Sequence, residues 1–179
     1  KLEGLHNLTT ISGCLWVEGT QKLQNINGLT SLTEIGDCIN FQDNEAINNF
    51  AGLSSLTTVT GSFDIIGNSK LMDATGLVAL HEVGSIFMTD NPVLTSVEGF
   101  DSLVSITDNL ILMGNDTLPI LMGFPTLTTV GGDIQVLLED TLIDVAAFPS
   151  LALIGGDLLI ERNDQLSAIS GLSKLTDVI

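Results

Sequence analysis

The sequence predicts an all-β fold, a right-handed parallel β-helix (a solenoid) of about seven coils of 24 residues. An element of the form Gly-Leu/Phe-x-x-Leu recurs along the whole chain, and most copies carry an apolar-x-apolar pair typical of a half-buried strand. Each 24-residue unit is too small to bury its apolar side alone. Successive coils must therefore stack, each covering the next.

The repeat leaves no part of the chain outside it. Spacings between successive copies are 24 residues except for one of 23, and the copies start at Gly4, Gly28, Gly52, Gly76, Gly99, Gly123, Ala147 and Gly171. We expect residues 1–179 to form a single repeat domain. Because the first and last copies are incomplete, we expect it to be a fragment or a processed part of a longer chain.

Each copy places its apolar residues at fixed positions. A branched residue follows three residues after the second leucine: Ile11, Ile35, Val59, Val83, Ile106, Val130, Ile154 and Val178. The main strand comes next, with inward pairs at Leu15/Val17, Ile39/Phe41, Phe63/Ile65, Ile86/Met88, Leu110/Leu112, Ile134/Val136 and Leu158/Ile160. Two more apolar positions close the coil, as in Leu23/Ile26. We expect the 23-residue copy to lose its residue in a surface turn beside Gly84 and Ser85.

The composition and net charge of the chain exclude some classes of binding partner. The chain has 179 residues, of which 44% are hydrophobic, and its 22 acids against five bases give a net charge of −17. A chain this apolar is not disordered, and a charge of this sign repels nucleic acid and anionic membranes. No apolar run reaches the ~18 residues of a membrane helix, so we expect no direct membrane insertion.

The pattern Gly-Leu/Phe-x-x-Leu-x-x-Ile/Val-Gly-Gly-Asp-Leu-x-Ile-x-x-Asn-x-x-Leu is clearest from Phe148 to Leu166. It resembles the receptor L-domain family, a relative of leucine-rich repeats found in growth-factor-receptor ectodomains and fungal cell-wall proteins. The resemblance covers the whole chain and implies an extracellular or cell-surface location. The cysteine-rich modules that flank L domains in receptors are absent here, so hormone binding is not carried over.

Two cysteines occupy the same repeat position. Cys14 and Cys38 are 24 residues apart, so stacked coils place them about 4.5 to 5.5 Å apart, within reach of a disulfide. The alternative is a pair of stacked free thiols. A disulfide would indicate an oxidising compartment.

Two sequons for N-glycosylation occur, at Asn7 and Asn115. Asn7 shares its repeat position with small or polar residues and is predicted to be exposed. Asn115 belongs instead to a column of stacked asparagines at a coil corner, where side chains bond to the turn backbone or adopt its left-handed conformation: Asn44, Asn68, Asn91, Asn115 and Asn163. Asn7 is therefore the better acceptor, with a chance sequon as the alternative.

Cofactors and metals are not expected. Asp133 and Asp157 stack and could hold Ca²⁺ between them, but no calcium-binding loop is present and a solvated acidic surface is the better explanation. The only histidines, His6 and His81, lie in different repeat positions and cannot share a site. A cluster of Asp157, Glu161 and Arg162 is the best local arrangement for sugar cleavage, and a surface ion pair accounts for it. We expect no enzymatic activity.

The strand register predicts an interaction surface. Outward positions of the main strands should be polar, yet six apolar residues occupy them in the later coils and would form a contiguous exposed stripe: Ile66, Phe87, Ile111, Met113, Leu137 and Leu159. We therefore expect a non-enzymatic extracellular or cell-surface interaction or adhesion module that binds a protein partner through this strand face. The alternative is a structural subunit of an extracellular filament or cell-wall layer that self-associates through the solenoid ends and this stripe.

Overall fold

A computed structural model describes residues 2–179 of the chain. Nearly all of its regular structure is β, and the helices of the described part are single 3-10 turns at Glu3–Leu5, Asn27–Leu29 and Ala51–Leu53. The strands are β1 (Thr10–Ile11), β2 (Leu15–Glu18), β3 (Glu34–Ile35), β4 (Ile39–Gln42), β5 (Thr58–Ile66), β6 (Glu82–Thr89), β7 (Ser105–Ile106), β8 (Leu110–Met113), β9 (Ile120–Leu121), β10 (Thr129–Val130), β11 (Ile134–Leu137), β12 (Asp144–Val145), β13 (Leu153–Ile154), β14 (Leu158–Glu161) and β15 (Asp177–Val178).

The strands stack in parallel as a β-solenoid of about seven turns, which confirms the predicted fold class. We number the coils one to seven by the copies that start at residues 4, 28, 52, 76, 99, 123 and 147. The main strands form one row in the order β2-β4-β5-β6-β8-β11-β14, and the short strands form a second row in the order β1-β3-β5-β6-β7-β10-β13-β15. A third contact joins β9 to β12. Register follows the repeat, so that Ile134 lies opposite Leu110 and Leu158.

The core consists of apolar columns that run along the rod. Every position predicted to face inward is buried in the middle coils; one column, for example, contains Ile35, Val59, Val83, Ile106, Val130 and Ile154. Three phenylalanines replace leucine in a neighbouring column, with ring centroids 5.0 Å apart for Phe100 and Phe124 and 5.6 Å apart for Phe124 and Phe148. Burying one such side chain contributes ~1.5–3 kcal/mol, so the columns supply the main stabilisation of the stack.

The 23-residue coil keeps its register by a different route from the one expected. Its missing residue does not shorten a surface turn, because Gly84 and Ser85 are buried inside β6. Pairing of β5 with β6 is irregular between Val59 and Ser62 and regular again from Phe63, which lies opposite Ile86. The two strands of a coil are continuous both in β5, where no residue is missing, and in β6, which is one residue shorter, and the inward residues of coil four stay aligned.

One corner of every coil adopts a left-handed backbone. The residue after the main strand has φ between 52° and 68° in all seven coils: Gly19, Asp43, Gly67, Asp90, Gly114, Leu138 and Arg162. Glycine and aspartate tolerate this region, whereas leucine is disfavoured in it. At this corner the chain turns away from the main sheet. Coil six makes the turn with Leu138, a residue type that is unfavourable there.

Gly84 is expected to tolerate no side chain. A Cβ there would lie 2.5 Å from the Gly61 carbonyl oxygen and 2.6 Å from that of Thr60. Because both atoms belong to the backbone of the preceding coil, Gly84→Ala should lower the free energy of unfolding by ~1–3 kcal/mol, measured by urea denaturation. The matched control is Gly13→Ala, because no described atom lies within 4 Å of a Cβ at Gly13. Equal midpoints for the two variants would contradict this assignment.

Candidate functional site

The outer face is the surface formed by the outward residues of the main-strand row. Because side chains alternate along a strand, each main strand has two outward residues, each directly after one of its two inward residues. In the stacked coils these residues form two outward columns. The first column contains Trp16, Asn40, Asp64, Phe87, Ile111, Gln135 and Leu159, and the second contains Glu18, Gln42, Ile66, Thr89, Met113, Leu137 and Glu161. All six residues of the expected apolar stripe therefore lie on this one face.

The stripe is less exposed and less continuous than the sequence indicated. Each of the six residues is half-buried, because neighbouring coils lie close enough for side chains in one column to cover each other. Phe87 lies opposite Ile111 and Met113 lies opposite Leu137. Thr89 separates Ile66 from Met113 in one column, and Gln135 separates Ile111 from Leu159 in the other. The structure thus contains two adjoining apolar pairs with an outlying residue at each end.

The outer face is polar at its N-terminal end. Trp16 is 61% exposed, whereas Asn40 beside it is only 4% exposed although it occupies an outward position. Asn40 and Ser62 hydrogen-bond the carboxylate of Asp64; burial raises the pKa of Asp64, and these two bonds oppose the rise. Sequence reasoning missed this cluster, because alternation alone predicts a solvated asparagine.

Acidic residues border the outer face on both sides. Asp43 and Asp90 follow the main strands at the left-handed corner, and Asp133 and Asp157 precede them. The chain has only five basic residues, and among them only Arg162 occupies one of these bordering positions. Beside the apolar pairs, in coils four to six, the bordering residues are Ser85, Asn109 and Asp133 before the strands and Asp90, Gly114 and Leu138 after them, so the margin there carries one acid on each side.

A disulfide joins the first two coils at the residues directly before main strands β2 and β4. Cys14 and Cys38 are bonded, with their Cα atoms 4.4 Å apart, as the shared repeat position predicted. Asp37 lies near both sulfur atoms, but bonded cysteines are not available as thiolate metal ligands.

In later coils, the residues at the repeat position of the two cysteines form a ladder of hydrogen bonds. In later coils a side chain at this position accepts a backbone N–H from the next coil: Ser85 from Asn109, Asn109 from Asp133 and Asp133 from Asp157. The Asp133 carboxylate, considered above as a calcium ligand, is used to hold coil seven on coil six. The Asp133 carboxylate therefore has a structural role that the sequence alone did not reveal, whereas Asp157 takes part through its backbone N–H.

A second ladder, the asparagine ladder, lies at the corner after the left-handed residue. Each asparagine accepts the backbone N–H of its equivalent in the preceding coil, as Asn68 does from Asn44 and Asn91 does from Asn68. Each side-chain amide also donates to a main-strand carbonyl 26 or 27 residues earlier; the pairs are Asn44 to Val17, Asn68 to Phe41, Asn91 to Ile65, Asn115 to Met88 and Asn163 to Val136. The hydrogen bonds predicted for the asparagine column are confirmed. The left-handed backbone conformation belongs to the residue directly before each asparagine and not to the asparagine itself.

The two sequons have opposite environments. Asn7 is exposed in the turn after the first 3-10 helix, whereas Asn115 is fully buried in the asparagine ladder. Its Nδ2 donates to the Met88 carbonyl and to Glu139 Oε1, both at 2.9 Å. Since a glycan would be attached through this nitrogen, Asn115 is unsuitable as an acceptor in the folded chain and Asn7 remains the candidate.

The two histidines lie in different coils and contact separate backbone carbonyls. Nδ1 of His6 is 3.2 Å from the Glu3 carbonyl, and Nδ1 of His81 is 3.1 Å from the Ser102 carbonyl of the next coil. Threonines recur directly after the second leucine of several copies, and the hydroxyls of Thr33, Thr57, Thr128 and Thr176 donate to carbonyls of the preceding coil. Asp157, Glu161 and Arg162 are all exposed near the C-terminal end.

Comparison with known proteins adds no assignment. No family model, curated protein or solved structure matches this chain. Among residues 2–179, no helix is long and apolar enough to cross a bilayer. The interpretation of the outer face therefore depends on its own geometry and chemistry.

Loss of the disulfide is expected to loosen the N-terminal coils. The bond closes a loop of 24 residues, so the double variant Cys14→Ser, Cys38→Ser should lose about 3 kcal/mol of unfolding free energy in urea denaturation. Hydrogen exchange should locate the loss in coils one and two, because coils contact only their neighbours. Uniform loss of protection up to coil seven would contradict this local effect.

Removing a central asparagine should be costly. Asn68→Ala leaves the Asn44 N–H and the Phe41 carbonyl without their side-chain partner, so we expect a loss of roughly 1–3 kcal/mol in unfolding free energy. Asn27→Ala, at an exposed asparagine, is the matched control and should shift the urea midpoint little. A similar shift for both variants would show that the ladder contributes nothing specific.

Proposed function

We propose that this chain is a non-enzymatic extracellular or cell-surface interaction module that binds a protein partner through its outer face. The observation that carries the proposal is the apolar character of outward strand positions from coil three to coil seven. Outward positions of a solvated sheet face favour polar residues, and apolar groups retained there commonly mark a contact surface. The resemblance to receptor L domains and the disulfide support an extracellular setting.

Charge complementarity indicates the chemistry of the partner. The apolar pairs Phe87/Ile111 and Met113/Leu137 have one bordering acid on each side, Asp133 and Asp90, on a chain of net charge −17. A partner with an apolar centre and a rim of lysine and arginine would match both features and would be steered towards the face. Two copies meeting through this face would oppose acids to acids, so a different, basic protein is the better occupant.

The size of the apolar centre fits a hot spot and not a whole interface. From Ile66 to Leu159 the face crosses four coil spacings, or about 19 Å at ~4.8 Å per spacing. A specific interface buries roughly 800 Å² on each partner, with a dry core and a polar rim. The apolar pairs would supply the core of such an interface, and the bordering residues, which include Asp90 and Asp133, would supply part of its rim.

Filament or wall-layer assembly is the second candidate, and it has its own observation. Ile169 is 50% exposed at the C-terminal end of the described rod, although its equivalent in the preceding coil, Val145, is fully buried. A further coil stacked here, from the same chain or from another copy, would cover this residue, and the second case is the filament arrangement. This arrangement uses the end of the rod, so it is separable from partner binding through the outer face.

The experiment combines face variants with a defined selection. A displayed library of secreted protein domains is selected on the wild-type chain, and captured domains are retested on Phe87→Glu and Ile111→Glu. We expect basic domains whose affinity falls at least ~30-fold with either variant, the scale of a hot-spot residue, and weakens with added salt. The matched controls are Val78→Glu and Met122→Glu, which place the same charge on exposed apolar residues outside the outer face.

Three results would contradict the proposal. Capture that survives both face variants would remove the outer face from the binding site. Failure to capture any domain would argue against a protein partner. Sedimentation that shows concentration-dependent assembly, unaffected by Phe87→Glu, would favour the filament alternative through the solenoid ends. Circular dichroism and retention of the Cys14–Cys38 bond establish that each variant is folded.

A further inference from the structure

Coil six interrupts the asparagine ladder with a carboxylic acid. Glu139 occupies the ladder position between Asn115 and Asn163 and is fully buried. Its Oε1 accepts the Asn115 amide at 2.9 Å, and its backbone N–H donates to Asn163 Oδ1 at 2.9 Å. The acid thus keeps the acceptor role of an asparagine at this position.

An ionised glutamate lacks the N–H donor that the side-chain amide of asparagine provides at this position. In other coils the ladder amide serves two acceptors, a main-strand carbonyl and the next side-chain oxygen; Asn91, for example, donates to the Ile65 carbonyl and to Asn115 Oδ1. The corresponding acceptors in coil six are the Leu112 carbonyl and Asn163 Oδ1. An ionised Glu139 cannot donate to either, and its Oε2 is buried with no hydrogen-bond partner among the described residues.

The surroundings disfavour a negative charge. Apolar core columns lie on the inner side of Glu139, and burial raises its pKa to about 7, with the bond from Asn115 opposing the rise. Asp116 from coil five and Asp140 on the same corner raise the pKa further. Coil seven adds the exposed Arg162 and Asp164, which follow Leu138 and Asp140 in register and are of opposite charge. Leu138, in the left-handed region directly before Glu139, gives this corner an unfavourable backbone as well.

We propose that Glu139 is a pH-sensitive latch between coils five, six and seven. In the protonated state its Oε2–H donates to the Leu112 carbonyl or to Asn163 Oδ1 and completes the ladder. In the ionised state the donor is lost and a buried charge faces Asp116 and Asp140. The corner then loosens, and because coils contact only their neighbours, coil seven is released before coils two to four.

The direction of the pH effect follows from linkage. Below about pH 4.5 the acid is protonated in both the folded and the unfolded chain, so its contribution to stability is complete. Between about 4.5 and about 7 the unfolded chain loses the proton first, and folding becomes less favourable as pH rises. Across that window the opening equilibrium of the C-terminal coils should increase by roughly two orders of magnitude.

The test compares the wild type with Glu139→Asn, which restores the ladder amide, and Glu139→Gln, which keeps the side-chain length. Hydrogen exchange is measured from pH 4 to 8 and converted to protection factors. We expect protection at residues 139 and 167 of the wild type, whose amides donate to Asn163 Oδ1 and to the Ile143 carbonyl, to fall ~100-fold relative to residues 44 and 68 as pH rises from 4.5 to 7. Glu139→Asn should remove this relative fall.

Charge controls separate the latch from general acidity. Asp140→Asn removes an exposed negative charge at the same corner and leaves the ladder intact; because Asp140 helps to raise the pKa of Glu139, the fall should persist but end at a slightly lower pH. Asp64→Asn removes the charge of the other acid whose pKa is raised, which is half-buried on the outer face, and should leave the wild-type fall unchanged. A carboxyl NMR titration of the wild type, with Glu139 assigned by its absence in Glu139→Gln, gives a readout that does not depend on a variant's stability.

Two results would overturn the proposal. One is a Glu139 carboxyl that titrates near 4.5 in the folded chain. The other is a relative protection profile in Glu139→Asn that parallels the wild type between pH 4.5 and 7. Neither result bears on the outer face, because Phe87 and Ile111 lie on the main strands and the ladder lies inside the corner.

Discussion

Vertical alignment of equivalent residues is the constraint on which the whole structure depends. A coil of 24 residues brings every side chain back over its predecessor at the strand spacing of ~4.8 Å, and this distance suits apolar contact, a disulfide and a hydrogen bond equally. One alignment therefore produces the phenylalanine column, the Cys14–Cys38 bond and both polar ladders. Where a residue is missing, beside Gly84, the pairing of β5 with β6 shifts once and the inward residues return to alignment.

The two polar ladders have opposite directions. In the asparagine ladder the side chain of one coil accepts the backbone N–H of the coil before it, as Asn68 does from Asn44. In the ladder that continues from the disulfide, the side chain accepts from the coil after it, as Asp133 does from Asp157. Coils four to seven are consequently linked by side-chain bonds at both ends of the main strands, where backbone N–H groups find acceptors.

Much of the fold was predictable because its information is periodic. The inward columns, the parallel row of main strands and the stacking of Cys14 on Cys38 follow from spacing alone. The departures lie where one residue breaks the rule of its column. Asn40 occupies an outward position and is buried in a polar cluster, and Glu139 stands in a column identified only by its asparagines. A column-by-column comparison would have found the break at Glu139, whereas the burial of Asn40 depends on contacts that spacing does not encode. The six apolar outward residues were placed correctly on one face, but the covering of each by the next coil was not foreseen.

The stacking direction also determines how the molecule would respond to tension. The hydrogen bonds between coils run along the rod, and the two chain ends lie at opposite ends of it, so a pull on both ends loads these bonds one layer at a time. Peeling of single coils, each releasing roughly 80 Å of extended chain, would replace cooperative rupture. The first two coils are the exception, because the covalent bond between Cys14 and Cys38 would keep them together as a short, inextensible tip.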